Sequence, residues 1–209
     1  MNIVIMGPQG SGKGTQAKKL KGILGISHIS TGDMFREAAD KRTELGLRAK
    51  NEYWEKGNLV PDEITNQIVK ERLAQKDCKK GYVLDGYPRT LDQAKALDKI
   101  TKVGYVILIN ISDEQAIERI CGRRSCAKCG KIYHIKTNPS PKGNSCICGG
   151  KLIQREDDTE AKLKVRLESY HKQTEPVIEY YRKKGVLSEF DGRKGIDELF
   201  SEIEKKLKK

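Results

Sequence analysis

The chain has 209 residues, with 41 Lys and Arg against 29 Asp and Glu, for a net charge of +12. Hydrophobic residues make up 36% of it, enough for a core, yet no apolar run approaches the roughly 20 residues that cross a bilayer. A membrane protein and a fibrous repeat are excluded. So is a disordered chain, because apolar segments recur regularly.

The first segment, Asn2–Met6, is a short apolar run that stops at a glycine-rich turn, the pattern of a buried parallel strand. The opening MNIVIMGPQG lacks the basic region and cleavage site of a secretory signal, so the expectation is a cytoplasmic protein. Residues 13–24 carry helical spacing through Ala17, Leu20 and Ile23, and Gly25 ends that helix. A strand is expected at 27–30 and a helix over 32–41 capped by Thr31. Further helices are expected over 43–56 and 61–75, the latter with Pro61 in its first turn. Residues 81–85 read as a strand ending in an acid, and a helix follows Thr90. The strand at 105–111 is the longest apolar run. Ser112 and Gln115 then form a capping-box pattern. From 125 to 153 the composition turns to Cys, Gly, Pro, Lys and Asn, which marks an inserted lobe. Residues 159–184 are helical, with Pro176 expected to kink or break the run. A strand at 186–190 and a helix at 195–208 close the chain. Strands alternating with helices give an α/β fold: a five-stranded parallel sheet with helices on both faces.

Gly7-Pro-Gln-Gly-Ser-Gly12-Lys13 has the G-x-x-x-x-G-K spacing of a phosphate-binding loop and lies between a strand and a helix. Its glycines let backbone N–H groups turn inward, and the helix start adds partial positive charge. Lys13 supplies a point charge for the outer phosphates. Gly14 stands where a Ser or Thr usually ligates Mg²⁺, and Thr15 comes one residue later. A dinucleotide loop competes, since Gly12-Lys-Gly14-Thr-Gln-Ala17 fits G-x-G-x-x-A with Asp33 about twenty residues on. It is set aside because Asp33 follows Ser-Thr-Gly rather than ending an apolar strand.

The excess positive charge alone admits nucleic acid, an anionic membrane or phosphorylated small molecules. Lysine clusters such as Lys79-Lys80 and Lys183-Lys184 read as solvated faces. Several arginines instead fall inside motifs, where their planar fork suits phosphate. Cys126-x2-Cys129 is followed after sixteen residues by Cys146-x-Cys148. Two such knuckles suit tetrahedral Zn²⁺, a closed structural site that staples a lobe too small for its own core. The C-x-C pair is one residue shorter than usual, and iron–sulfur ligation or a free thiol set stays open. Cys78 and Cys121 fall outside the cluster and read as buried, inert thiols. His134, within the insert, reads as a packing or hydrogen-bonding residue.

Four further segments resemble the adenylate kinase family: Ser30-Thr-Gly-Asp-Met-Phe-Arg36, Gly57-Asn-Leu-Val60-Pro-Asp62, Leu84-Asp-Gly-Tyr-Pro-Arg89-Thr90 with Gln93, and Gly122-Arg-Arg124. Gly10-Ser-Gly-Lys-Gly-Thr15-Gln is similar to that family's loop. The likeness runs along the whole chain, and the insertion resembles its long, zinc-binding lid. It implies a P-loop kinase core at 1–29, 61–121 and 160–209, a lobe binding the nucleoside monophosphate at 30–60, and a lid at 122–159. It implies reversible Mg²⁺-dependent transfer between ATP and AMP to give two ADP, in a protein with no nucleic-acid or membrane partner, most simply a monomer. The donor side would comprise Gly10, Ser11, Gly12, Lys13, Gly14 and Thr15, with Arg119 stacking on the base and backbone near Lys194. The acceptor side would comprise Thr31, Arg36, Gly57, Val60, Gly86, Arg89 and Gln93. Lys13, Arg123, Arg155 and Arg166 would surround the group in flight, Arg155 and Arg166 also facing AMP, and Asp85 would hold Mg²⁺ through water. Asp157 and Asp158 resemble an acidic pair at the lid base, and equally fit a helix start before Thr159. A GTP donor is the near alternative. A P-loop switch carrying a zinc-ribbon nucleic-acid module is the distant one.

Overall fold

Four of the five side chains of β1 (Asn2–Met6) are buried, because a central parallel strand is covered on both faces. In the computed structural model, which describes residues 1–208, β1 is followed by α1 (Lys13–Leu24), β2 (Ser27–Ser30), α2 (Thr31–Asp40), α3 (Glu44–Arg48) and α4 (Asp62–Leu73). Lys209, the end of the predicted core segment, lies outside the described residues. Next come β3 (Tyr82–Asp85), α5 (Leu91–Ile100), β4 (Tyr105–Asn110) and α6 (Asp113–Cys121). The insert carries β5 (Arg123–Cys126), β6 (Ile132–His134) and β7 (Leu152–Ile153), and the chain finishes with α7 (Glu160–Ser169), α8 (Glu175–Lys183), β8 (Leu187–Asp191) and α9 (Ile196–Leu207). Among the described residues, one parallel sheet has the order β2-β3-β1-β4-β8, as the predicted α/β class requires. The insert forms a separate antiparallel sheet, β6-β5-β7.

The period of two sorts the core. Val4, Met6, Leu84, Val106 and Leu108 point to one face, against Val69 of α4, Leu97 of α5 and Tyr181 of α8. Ile3, Ile5, Val83, Ile107 and Ile109 point to the other, against Leu20 of α1 and Phe200 and Ile203 of α9. Burying each such aliphatic side chain contributes about 1.5–3 kcal/mol. The rigid sheet fixes the strand ends, where the loops after β1 and β3 meet.

Several local expectations are corrected. Ser30, not Thr31, caps α2 by accepting from the Asp33 N–H. Thr31 instead donates its hydroxyl to the Gly86 carbonyl at 2.9 Å. Pro61 sits one position before α4 rather than in its first turn. The single helix expected over 43–56 is α3, then a π-helical turn at Ala49–Tyr53 and a 3₁₀ turn at Trp54–Lys56. The run over 159–184 is likewise divided, with a π-helical turn at Tyr170–Thr174 just before Pro176. Proline lacks an N–H and crowds the carbonyl four residues back, so widening one turn relieves both. The capping box at Ser112 and Gln115 is present as predicted.

Candidate active site

The loop after β1 turns through left-handed glycines at Gly10 (φ 80°) and Gly12 (φ 94°), conformations that only glycine adopts without strain. Lys13 folds back over the loop and donates to the Gly7 and Pro8 carbonyls, both at 2.7 Å. Burial lowers its pKa to about 8; Asp85 opposes that shift, while Arg89, Arg166 and Arg123 add to it. Four cationic residues from distant parts of the chain are therefore near enough to sense one another. A side chain at Gly14 would place its Cβ 3.3 Å from Asp85 Oδ2. Glycine there leaves the Asp85 carboxylate facing the start of α1. On the other side His28 Nε2 lies 3.5 Å from Asp85 Oδ2. An oxygen donor beside a phosphate loop fits Mg²⁺, a hard cation that retains water ligands. Arg119 reaches the same loop, donating to the Gly10 carbonyl at 3.4 Å. The Lys194 ammonium is engaged by Glu202 and Glu198 of α9.

The arginines are held by carboxylates. Arg36 pairs with Asp33. Arg123 Nε donates to Asp158 Oδ2 at 2.8 Å, and Asp158 is fully buried. Arg155 and Arg166 share Asp157, at 3.1 and 3.0 Å. Burial lowers the pKa of Arg166 to about 10; Asp157 opposes this, and Arg89, Arg123 and Arg155 reinforce it. Burial also lowers Arg155 and Arg89, with Arg36 contributing to both. Asp157 is held below the usual carboxylate range despite its burial, by Arg155 and Arg166 first. The two open readings of the acidic pair are thus separable: both aspartates bind guanidinium groups, while the start of α7 is capped by Thr159. Six cations facing four carboxylates leave an excess of positive charge. Each guanidinium has five N–H donors, more than one carboxylate uses.

One cavity brings together the residues expected on the acceptor side. Thr31, Arg36, Gly57 and Val60 line it from one side, and Gly86, Arg89, Gln93 and Arg166 from the other. Arg155 is not among its lining residues. Phe35, Trp54 and Leu59 also line it, and were missed. An aromatic pair in the 30–60 segment is the signal that could have found Phe35 and Trp54, since a flat base needs an apolar slot. The Arg89 Nε donates to the Gly86 carbonyl at 2.8 Å, and Thr174, in the π-helical turn, donates to the Arg89 carbonyl at 3.0 Å. The 30–60 and 122–159 segments meet at an ion pair, with Lys50 Nζ 3.4 Å from Glu156 Oε2. Among the described residues Arg124 donates to the Cys121 and Arg123 carbonyls, and Arg182 pairs with Glu179 and Glu189 on the surface.

In the insert, the Sγ atoms of Cys126, Cys129, Cys146 and Cys148 all lie within 4.8 Å of one another. Pairs measure 3.4 Å (Cys129 to Cys148), 3.5 Å (Cys126 to Cys148) and 3.6 Å (Cys129 to Cys146). A disulfide needs about 2.05 Å. Four sulfurs on a tetrahedral zinc with arms of about 2.3 Å would be roughly 3.8 Å apart, so the set fits one metal ion. Backbone N–H groups of Lys128 and Cys129 point at Cys126 Sγ, and Tyr133 Oη lies 3.3 Å from Cys146 Sγ. The Tyr133 hydroxyl draws the Cys146 thiol down to about 6. A Cβ at Gly150 would lie 2.6 Å from Cys126 Sγ, so glycine clears the cradle. His134 is a structural tie, as expected. Its Nδ1 accepts from the Lys136 and Thr137 N–H groups, both at 3.1 Å, which places the proton on Nε2 facing the Glu118 carbonyl. Cys78 is buried as expected, whereas Cys121 is only half-buried.

A phosphate loop at the end of a parallel strand, an acid at the end of its neighbour and a cage of arginines define a P-loop phosphotransferase. Comparison narrows the class. The adenylate kinase family model matches residues 5–186. The chain is 54% identical to an adenylate kinase of Methanosarcina barkeri, covering all of this chain and 99% of that protein. It is 51% identical to one of Archaeoglobus fulgidus, with the same coverage, and 52% identical to one of Caldanaerobacter subterraneus, covering 99% and 96%. The chain belongs to the adenylate kinase family.

Proposed function

We propose that the chain catalyses reversible, direct in-line transfer of a phosphoryl group, ATP + AMP to two ADP. The observation that carries this reading is the convergence of Lys13, Arg36, Arg89, Arg123, Arg155 and Arg166 on the space between the phosphate loop and the Thr31–Gln93 cavity. Such transfer gathers two polyphosphates into one site, and positioning with charge stabilisation does nearly all the catalytic work. The loop residues Gly10, Ser11, Gly12, Lys13, Gly14 and Thr15 take the donor phosphates, and Arg119 stacks on the donor base. Arg36 and Arg89 take the acceptor phosphate, and Thr31, Gly57, Val60, Gly86 and Gln93 take its nucleoside. Arg123, Arg155 and Arg166 stabilise charge on the transferring group. Mg²⁺, when bound, would neutralise part of the charge on the donor phosphates. Asp85 is the residue that would hold it, through water.

The segments 30–60 and 122–159 act as lobes that close over the core and exclude water, a competing acceptor. Their meeting at Lys50 and Glu156 supports this assignment. The four cysteines hold a structural zinc ion, since four thiolates leave no open position for substrate. Thiol pairs too long for disulfides fit a reducing, cytoplasmic setting, and no described helix is long and apolar enough to cross a membrane. All the proposed site residues belong to a single chain, so a monomer would carry a complete site. The test is a matrix of each nucleoside triphosphate against each monophosphate with Mg²⁺, following diphosphate formation. ATP with AMP is expected to dominate. A dominant GTP donor would transfer the reading to its near relative, and no diphosphate from any pair would refute it.

A further inference from the structure

Asp62, in the first turn of α4, holds two side chains of the loop and helix that follow β3. Its carboxylate accepts from Thr90 Oγ1 at 2.6 Å and from Gln93 Nε2 at 2.7 Å. Gln93 is 2% exposed, and its Oε1 accepts from the Arg89 backbone N–H at 2.7 Å. Each partner plays one role, because a carboxylate accepts and a backbone N–H donates. The carboxamide of Gln93 therefore has a single orientation. Turned over, its oxygen would face the Asp62 carboxylate and its NH₂ would face the Arg89 N–H. Two hydrogen bonds would be replaced by two repulsions in a site shielded from water. The clamped amide keeps one N–H and one oxygen lone pair free, on a residue that lines the cavity beside Thr31, Gly57 and Val60.

We propose that Asp62 is the specificity-determining positioning residue of the acceptor site: it locks the Gln93 carboxamide so that the site accepts a 6-aminopurine and rejects a 6-oxopurine. A 6-aminopurine presents an acceptor at N1 beside a donor at N6, and an amide can match both. A 6-oxopurine presents the reverse pattern, a donor at N1 beside an acceptor at O6. An amide free to rotate would match either edge. A clamped one matches one edge only, and the buried polar groups of the other edge stay unpaired, which makes such rejection strong. Neither Gln93 nor Asp62 needs to move on binding. The inference rests on the acceptor reading given above.

The probes are AMP and inosine monophosphate, which differ at the 6-position and N1 and are otherwise the same nucleotide. In Asp62→Asn the new amide can donate to a turned Gln93 oxygen. The kcat/KM preference for AMP over inosine monophosphate is expected to fall by about tenfold or more, the loss of one charge-assisted hydrogen bond. The change should fall on KM for AMP more than on kcat, and Asp62→Glu should recover part of the preference. An unchanged preference in folded Asp62→Asn overturns the proposal. Gln93→Met separates the two ideas: if it leaves the preference intact, Gln93 does not read the base and the acceptor reading fails first. The wild-type protein gives a check independent of variant folding. The Gln93 side-chain amide protons should be widely split in a ¹⁵N-edited spectrum, with one slow to exchange. A narrow, freely exchanging pair would overturn the clamp.

Discussion

The parallel-sheet core and the cysteine insert are both small β structures, and different physics holds each. In the core, both faces of the sheet are covered by helices, and side chains such as Ile3, Val4, Leu20 and Leu84 are at most 1% exposed. In the insert, the buried apolar set is Cys126, Tyr133 and Cys146, with Leu152 packed against it. Ile132, Ile135, Ile147 and Ile153 stay substantially exposed. A sheet so thinly covered has too little apolar burial to offset its own ordering entropy, and a metal ion held by the four sulfurs, as proposed above, would supply what burial does not. The lesson is a division of labour. The core positions Lys13, Asp85 and Arg89, while the insert delivers Arg123 and Arg155 on a lobe that, on the proposed reading, a bound ion staples.

Experiments can break that comparison, beginning with the largest effect. Lys13→Ala should lower kcat by about 10²–10³-fold, the usual loss for one positioned charge in a site closed to water, without lowering metal content. A variant turning over within a few-fold of wild type would remove the loop from catalysis. Leu20→Ala should destabilise the whole chain by about 2–5 kcal/mol in denaturant unfolding while bound metal stays stoichiometric. Metal loss on that substitution would mean that core and insert are one cooperative unit. Stripping metal with a chelator, or Cys146→Ser, should do the reverse. Circular dichroism should keep the core helices, hydrogen exchange should rise across residues 122–159, and turnover should fall. Unaltered exchange in metal-free protein would show that the insert stands on its own packing.

Two smaller effects sharpen the picture. The Lys13 pKa is lowered from 10.5 to about 8, so the folded state releases that proton before the unfolded chain does. Burial of the charged ammonium opposes folding below about pH 8, and this penalty is relieved as pH rises toward 10.5. Binding shows the opposite trend, because the neutral amine no longer attracts phosphate. The kcat/KM for ATP should therefore fall with loss of one proton near pH 8, a limb that Lys13→Arg shifts upward; a flat profile through pH 9 would contradict the assignment. Lys50→Ala removes a half-exposed ion pair between the two lobes. Its effect on melting should stay within about 1 kcal/mol, with any larger effect confined to the rate of lobe opening.

What the sequence made legible was local. The phosphate loop and the Asp85–Arg89 segment are contiguous runs whose residues act close to one another in the chain. The cysteine spacing likewise placed four sulfurs together before any coordinates did. Thr31 and Pro61 were assigned by helix-end rules, which say nothing of a carbonyl arriving from Gly86, 55 residues away. The π-helical turn at Tyr170–Thr174 has its cause in Pro176, yet the sequence alone permits a kink or a break equally. Asp62 closes one of the motif segments, but nothing in that segment signals its partner, because its role exists only once Gln93, 31 residues later, folds back beside it. The same holds for Lys50 and Glu156, which share no motif. Pairwise chemistry across lobes is invisible to periodicity and spacing.

The most direct measurement is a co-crystal structure with a two-headed inhibitor, two adenosines joined through five phosphates, in the presence of Mg²⁺. The account predicts one inhibitor per chain, its phosphates running from Lys13 past Arg123 to Arg36 and Arg89, with one adenine beside Gln93. Phosphates lying away from those four side chains would contradict it.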